Sequence, residues 1–199
     1  MENVETKENQ DRILLQADYV KPVGKEGQFE MGYRGQFQNL NSDFLVENTN
    51  DNGDTFFINT DLSNDLAFSQ YVNAFYTQYG NKLGDKFSYL FGIRLEGTRV
   101  TIDQETSGDF EKKNYTQLFP TANLAYEISE DASITLGYNR RIRRPRSYFI
   151  NPFPSRSSAT SIFQGNPNLD PSTSDAFDIG YLNRFGKVTL STSVYFQHA

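Results

Sequence analysis

Five arginines, Arg140, Arg141, Arg143, Arg144 and Arg146, fall within the heptapeptide "RRIRRPR". Guanidinium groups at this density suit planar, bidentate recognition of anions, whether carboxylate or phosphate. Tyr148, Asn151 and Gln164 follow, and then "GNPNLDP", in which two prolines and a glycine fix a turn-rich path and Asn166, Asn168 and Asp170 can cap turns. Loops held on a rigid scaffold concentrate binding residues. The candidate ligand contacts are therefore Arg141, Arg143, Arg146, Tyr148, Asn151, Gln164, Asn166 and Asn168. The competing reading makes the arginines a solvated rim paired with Asp170 and Asp175, and makes "GNPNLDP" a loop former.

Catalytic chemistry finds little support. The single histidine is His198, cysteine is absent, and neither a Gly-x-Ser-x-Gly elbow nor a phosphate loop occurs. Glu96 and Asp178 suit a charge ladder with Arg34 and Arg94 on a polar strand face better than an acid/base pair. "NTNDNGD" spaces Asn48, Asn50, Asn52 and Gly53 like a calcium loop, but its twelfth position is Asn59 where a bidentate Glu is required. No catalytic residue, cofactor or metal is expected.

Elements must hold these side chains, and composition limits which. The chain has 199 residues, 37% hydrophobic, with a mean hydropathy of -0.63, lean for a large buried core. Its 12 Tyr and 17 Phe, with no Trp, favour pleated surfaces. The net charge of -6 argues against nucleic acid as a partner. No apolar run approaches the ~18 residues of a membrane-spanning helix.

Period-two alternation recurs instead. Phe29, Met31, Tyr33 and Phe37 oppose Gln28, Glu30, Arg34 and Gln36, and Phe87, Tyr89, Phe91, Ile93 and Leu95 oppose Ser88, Gly92, Arg94 and Glu96. About eight such segments occur, each expected near the ~9–11 residues that cross a bilayer at a tilt. Short connections ("KPVGKEG", "GNKLGDK", "SEDA", "RFGK") alternate with long polar ones at residues 41–66, 103–116 and 146–174. That alternation is expected of a transmembrane barrel with tight turns at one rim and long loops at the other. A soluble antiparallel sheet with one face on a core would share the periodicity. On the barrel reading Ile134, Leu136 and Tyr138 face lipid, so Arg141 and Arg143 face the lumen. Phe91, Ile93, Ile179 and Leu190 should also face lipid. Both chain ends then fall at the outer rim, as expected of an internal slice of a larger barrel.

Two segments, "LFPTANLAYEISEDASITLGYNRRIRRPRSYFINPF" and "GNPNLDPSTSDAFDIGY", resemble the C-terminal barrel portion of TonB-dependent outer-membrane receptors. The resemblance covers about residues 67–196, and its most specific piece is "GNPNLDP" leading into a strand that ends in Gly-Tyr. It implies an all-β, antiparallel transmembrane β-barrel of about 22 strands, plugged by a separate N-terminal domain. Residues 1–199 would form a partial barrel domain of about eight strands, without the plug or the remaining strands. The implied function is import of a scarce nutrient (siderophore, haem, peptide or glycan) across the bacterial outer membrane. Implied partners are membrane lipid and lipopolysaccharide, the plug domain of the parent chain, and TonB through that chain. A non-transporting structural or adhesive barrel and a soluble carbohydrate-binding β-sandwich are the alternatives.

Overall fold

Long stretches of alternating side chains, broken by glycine at sharp reversals, fold as one antiparallel meander. The computed structural model describes residues 2–49, 55–158 and 161–199, with residues 155–158 described through the backbone alone. Eight long strands lie side by side in chain order: β1 (Glu2–Val23), β2 (Gly27–Thr49), β4 (Asn64–Leu83), β5 (Phe87–Gln104), β6 (Asp109–Glu127), β7 (Ala132–Arg143), β10 (Ser172–Phe185) and β11 (Val188–His198). The short β3 (Phe56–Ile58) pairs with the end of β2. The β7–β10 connection carries a helical turn, α1 (Ser147–Ile150), and a small hairpin of β8 (Ser155–Ser158) and β9 (Ser161–Phe163).

Tight reversals at residues 24–26, 84–86, 128–131 and 186–187 occupy one end of the sheet, and the long connections the other, here called the upper end. Gly24, Gly84 and Gly186 have φ of +68°, +64° and +60°, a left-handed backbone that residues with a Cβ avoid. The expected strand number and alternation of connections are both present.

The strands, however, are longer than expected, and much of what reads as loop is paired. β1, β2, β4, β5 and β6 have 22, 23, 20, 18 and 19 residues. At ~3.4 Å per residue and ~45° tilt, about ten residues cross the apolar layer. The remainder rises above it, where the outward face has no need of apolar side chains. Residues 103–116 are accordingly not an open loop: β5 and β6 pair from Thr98↔Tyr115 to Gln104↔Asp109, leaving only a turn at 105–108. Residues 41–66 likewise begin as β2 paired to β4, as far as Phe44↔Asn64.

Register sorts the side chains into two faces. Rows such as Tyr33–Phe75–Leu95–Leu118 and Tyr138–Phe177–Phe196 share one face. On that face Phe75 is 62% exposed, Phe91 54% and Ile179 53%. Phe91, Ile93, Ile179 and Leu190 all lie on it, as expected. On the opposite face, at the upper end, Leu40, Leu66, Phe68, Val100 and Ile102 form a buried cluster closed by Ile150 of α1. The β7–β10 connection therefore folds onto this face, here called the inner one.

No second sheet covers the outer face among the described residues, so the two-layer sandwich is not formed. An apolar surface of this extent suits lipid. Aromatic side chains gather at both margins of it. Tyr79 and Phe87 lie 6.1 and 6.4 Å from Tyr89 near the tight turns, while Phe37–Tyr71 (5.7 Å) and Tyr138–Phe177 (4.9 Å) lie higher. The sheet is open: β1 and β11 are its two edges.

Candidate functional site

The arginine nest straddles the upper end of β7, where alternation sends successive side chains to opposite faces. Arg140 follows Leu136 and Tyr138 onto the outer face. There it opposes Asp175 of β10 in register and binds it through two parallel bonds, Nε to Oδ1 and Nη2 to Oδ2, each 2.9 Å. The Tyr138 hydroxyl donates to the same carboxylate at 2.8 Å. Arg140 is thereby neutralised. Arg141 and Arg143 take the inner face, as alternation requires, and Arg141 donates to Asn139 Oδ1 at 2.7 Å.

Past Arg143 the strand ends and the chain turns inward. Arg144 donates through Nη2 to Glu96 Oε2 on β5 and, at 3.0 Å, to Thr98 Oγ1. Glu96 is 6% exposed and also accepts from Arg94 Nε at 2.5 Å. Half of the expected charge ladder is therefore present, but its second cation is Arg144 rather than Arg34. Asp178 instead lies across Gly137, where a Cβ would stand 2.2 Å from its Oδ1. Lys113 holds the far end of the connection, donating to Leu169 O at 2.9 Å and Asp170 Oδ1 at 3.1 Å. Of the two carboxylates expected to partner the arginines, Asp175 does so and Asp170 pairs with lysine.

Glycine allows the connection to fold back on itself. Gly165 N donates to Asn151 O, and Asn166 N to Phe149 O, each at 2.9 Å. A Cβ on Gly165 would meet Asn151 O at 2.5 Å and Phe149 C at 2.8 Å, so only glycine permits this approach. Several residues read as ligand contacts build the loop itself. Asn151 Oδ1 accepts from Phe153 N at 3.1 Å, Gln164 Nε2 donates to Pro152 O at 2.7 Å, and Asn166 Oδ1 accepts from Asn168 N at 2.9 Å. Tyr148 stacks on Phe163 with centroids 4.3 Å apart.

Between the end of β7 and the returning chain lies a cleft of about 600 Å³, lined by Arg143, Arg144, Arg146, Phe149, Leu169 and Asp170. Among the described residues, neither Arg143 nor Arg146 has a carboxylate within ion-pair distance. Arg144 also retains a buried Nε without a partner among them. The cleft thus offers two uncommitted guanidinium groups beside the Phe149 ring, a combination suited to an anion with an apolar or planar body. Glu96 was read as a charge-ladder partner of Arg94, and the structure adds Arg144 to it; Phe149 and Lys113 were not legible as site residues. Of the calcium-loop-like segment, Asn50, Asn52 and Gly53 lie outside the described residues, and Asn59 Oδ1 accepts from Asp61 N at 3.1 Å.

The outer membrane protein beta-barrel family matches residues 1–199, the whole chain. Among solved structures, the unliganded ferric citrate transporter FecA aligns with a TM-score of 0.67 at 12% identity, over 98% of this chain and 28% of that one. The copper transporter OprC aligns with a TM-score of 0.72 at 11% identity, over 96% and 30%. The ferric yersiniabactin uptake receptor FyuA from Yersinia pestis gives 0.62 at 15%, over 98% and 29%. The chain spans less than a third of these relatives. A comparison with curated proteins returns no match.

Proposed function

Because the chain belongs to the outer membrane protein beta-barrel family and so to the bacterial outer membrane, we propose that it forms part of the wall of a TonB-dependent receptor that imports a scarce nutrient. The observation that carries this reading is the β7–β10 connection, folded onto the inner face and holding a cationic cleft at the upper mouth. An adhesive or structural barrel would have no need to turn its longest connection inward. The parent would be a barrel of about 22 strands, with a plug supplied by another part of its chain. Two open sheet edges and the small share of each neighbour that is covered support this reading.

Within that function Arg143 and Arg146 grip the anionic part of the cargo, Phe149 packs against its body, and Arg141 lies one inner-facing position below. Tyr148, Asn151, Gln164 and Asn166 keep the loop in shape, with Asn168 exposed beside them. The chain's work is binding and passage rather than catalysis. The FecA and FyuA neighbours make ferric chelates the first cargo to try. Cells carrying the full-length receptor would be compared with an Arg143→Gln/Arg146→Gln variant for uptake of labelled ferric citrate and of a neutral ferric chelate. Charge-assisted bonds contribute about 1.5–3 kcal/mol each, so uptake of the anion at limiting concentration should fall about tenfold or more, with the neutral chelate unaffected. Equal uptake of every anionic chelate by the two receptors would refute the role of the cleft.

A further inference from the structure

The short strand β3 stands where lipid does not reach. It pairs with the top of β2, Ile58 opposite Glu47 and Phe56 opposite Thr49. Twenty steps along β2 from Gly27 to Glu47, at ~3.4 Å each and ~45° tilt, rise ~48 Å, about twice the ~25 Å apolar band of outer-membrane barrels. Polar side chains are expected at that height. Instead Phe56, Phe57 and Ile58 are 53, 54 and 57% exposed. Register puts Phe56 and Ile58 on the outer face and Phe57 on the inner, so β3 presents apolar side chains to water on both.

Its backbone is open as well. Among the described residues β3 pairs with no strand but β2, and β5 stops short of it, at Gln104 opposite Leu66. Asn59 N donates to Val46 O at 2.7 Å. Because peptide groups alternate in direction along a strand, the N–H and C=O of Ile58 point away from β2, as do those of Phe56. Sheets blunt such edges with charge or proline, and "FFI" carries neither.

The surroundings decide what can cover this edge. A groove of about 510 Å³ beside it is floored by Ile58 and Leu45 and lined by Glu5, Asp43 and Asp65, with Lys7 as the one cation of its lining. Register places these charges on the outer face. None of the three carboxylates is ion-paired among the described residues, and no three acidic side chains there could share a metal ion. An anion would be repelled, and a second copy of β3 would bring two net-negative grooves together. A basic, extended polypeptide meets every requirement, since its backbone completes the edge and its charges meet the carboxylates.

We propose that β3 and this groove dock an extended segment of a partner protein at the cell surface, added as a strand with basic side chains alternating with apolar ones. The basic side chains turn outward over Ile58 and Leu45 to Asp43 and Asp65; the apolar ones lie inward beside Phe57. The groove faces away from the lumen, so its occupant is a docked partner and not cargo. The inference rests on the facing of the strands, not on transport.

The test uses the full-length receptor in detergent and fluorescence anisotropy of labelled peptides. Probes are a short peptide alternating lysine and valine, its glutamate/valine counterpart, and the lysine/valine peptide with every backbone amide N-methylated. The lysine/valine peptide should bind at least about tenfold more tightly than either control. Ile58→Pro removes an edge N–H that β2 does not use, and should abolish the preference over the N-methylated peptide. Asp43→Asn/Asp65→Asn, which leaves the edge intact, should abolish the preference over the glutamate peptide. Heat-dependent gel mobility shows that each variant is folded. Equal binding of the lysine and glutamate peptides, unchanged lysine/valine binding in both variants, or self-association of the receptor that Ile58→Pro abolishes while no peptide is preferred, would overturn the proposal.

Discussion

Replacing Glu96 by Gln should release the β7–β10 connection from the inner face while leaving the sheet intact. Glu96 is 6% exposed and accepts from two guanidinium groups. Removing one member of a buried pair costs about 3–5 kcal/mol, because the surviving charge is left uncompensated. The two arginines do not share that cost equally. Arg94 has a side chain 31% exposed and lies 5.8 Å over the Tyr76 ring, so it can relax toward water in place. Arg144, 18% exposed, reaches water only if the connection lifts with it. The other restraints on the loop are burial of Ile150, which contributes about 1.5–3 kcal/mol, and the Lys113–Asp170 pair, whose carboxylate is 84% exposed and which adds at most about 1 kcal/mol. Since Gln still accepts one bond, docking should weaken by about 2–3 kcal/mol, or about 30- to 140-fold in the undocked population. Hydrogen exchange of loop peptides covering residues 147–151 and 164–169 in the full-length receptor reads this directly, because exchange follows the open population when reclosing is fast. In a double-mutant cycle, Arg144→Gln should add little to Glu96→Gln. Loop protection that changes less than twofold in Glu96→Gln would refute this account of what holds the loop.

Other outcomes are equally specific. Ile93→Arg should cost the assembled barrel about 2–4 kcal/mol if mid-strand outward positions meet lipid, checked by the denaturant midpoint of refolding into vesicles; spin labels at Phe91, Ile179 and Leu190 should be relaxed by lipid-soluble rather than aqueous quenchers. Gly165→Ala drives a Cβ into backbone at 2.5 Å, an overpacking cost of about 1–3 kcal/mol, and should raise exchange in the same loop peptides without altering heat-dependent gel mobility. The 199-residue chain made alone, with bare edges on β1 and β11 and an uncovered apolar face, should aggregate in water; a monodisperse, cooperatively melting monomer in light scattering would contradict that.

How far the sequence could be read depended on which face of a strand meets what. Where the outer face meets lipid, alternation is compulsory, and Phe91, Ile93, Ile134 and Leu136 could be assigned to it from periodicity alone. Above the lipid that compulsion ends. "VTIDQ" and, Phe110 apart, "DFEKKNYTQ" are polar on their outward side and read as loop, although β5 and β6 stay paired as far as Gln104↔Asp109. Arg141 and Arg143 were oriented correctly because they continue the alternation of β7; Arg144 was not, because its partner Glu96 lies 48 positions away on another strand and no local pattern links them. In "GNPNLDP" the turn chemistry of Asn166 was legible. The need for glycine at 165 was not, because it comes from the backbone of Phe149 and Asn151 across the loop.

The upper parts of the strands also differ in how much sequence change they should tolerate. β1 is exposed along its whole length; above Ile13 it carries residues such as Lys7, Glu8 and Asn9 on both faces, so it adds no buried side chain to fix its register against β2, whose own Leu40 and Val46 are buried. The upper β5–β6 hairpin is different, because Val100 and Ile102 are fixed beneath Ile150, and a one-residue slip would turn both outward. Descendants of this chain should therefore accumulate substitutions along the upper part of β1 far faster than along the upper β5–β6 hairpin, so that paired strands of similar length diverge at different rates for a reason seated in the loop, which seals side chains of β2, β4 and β5 but none of β1.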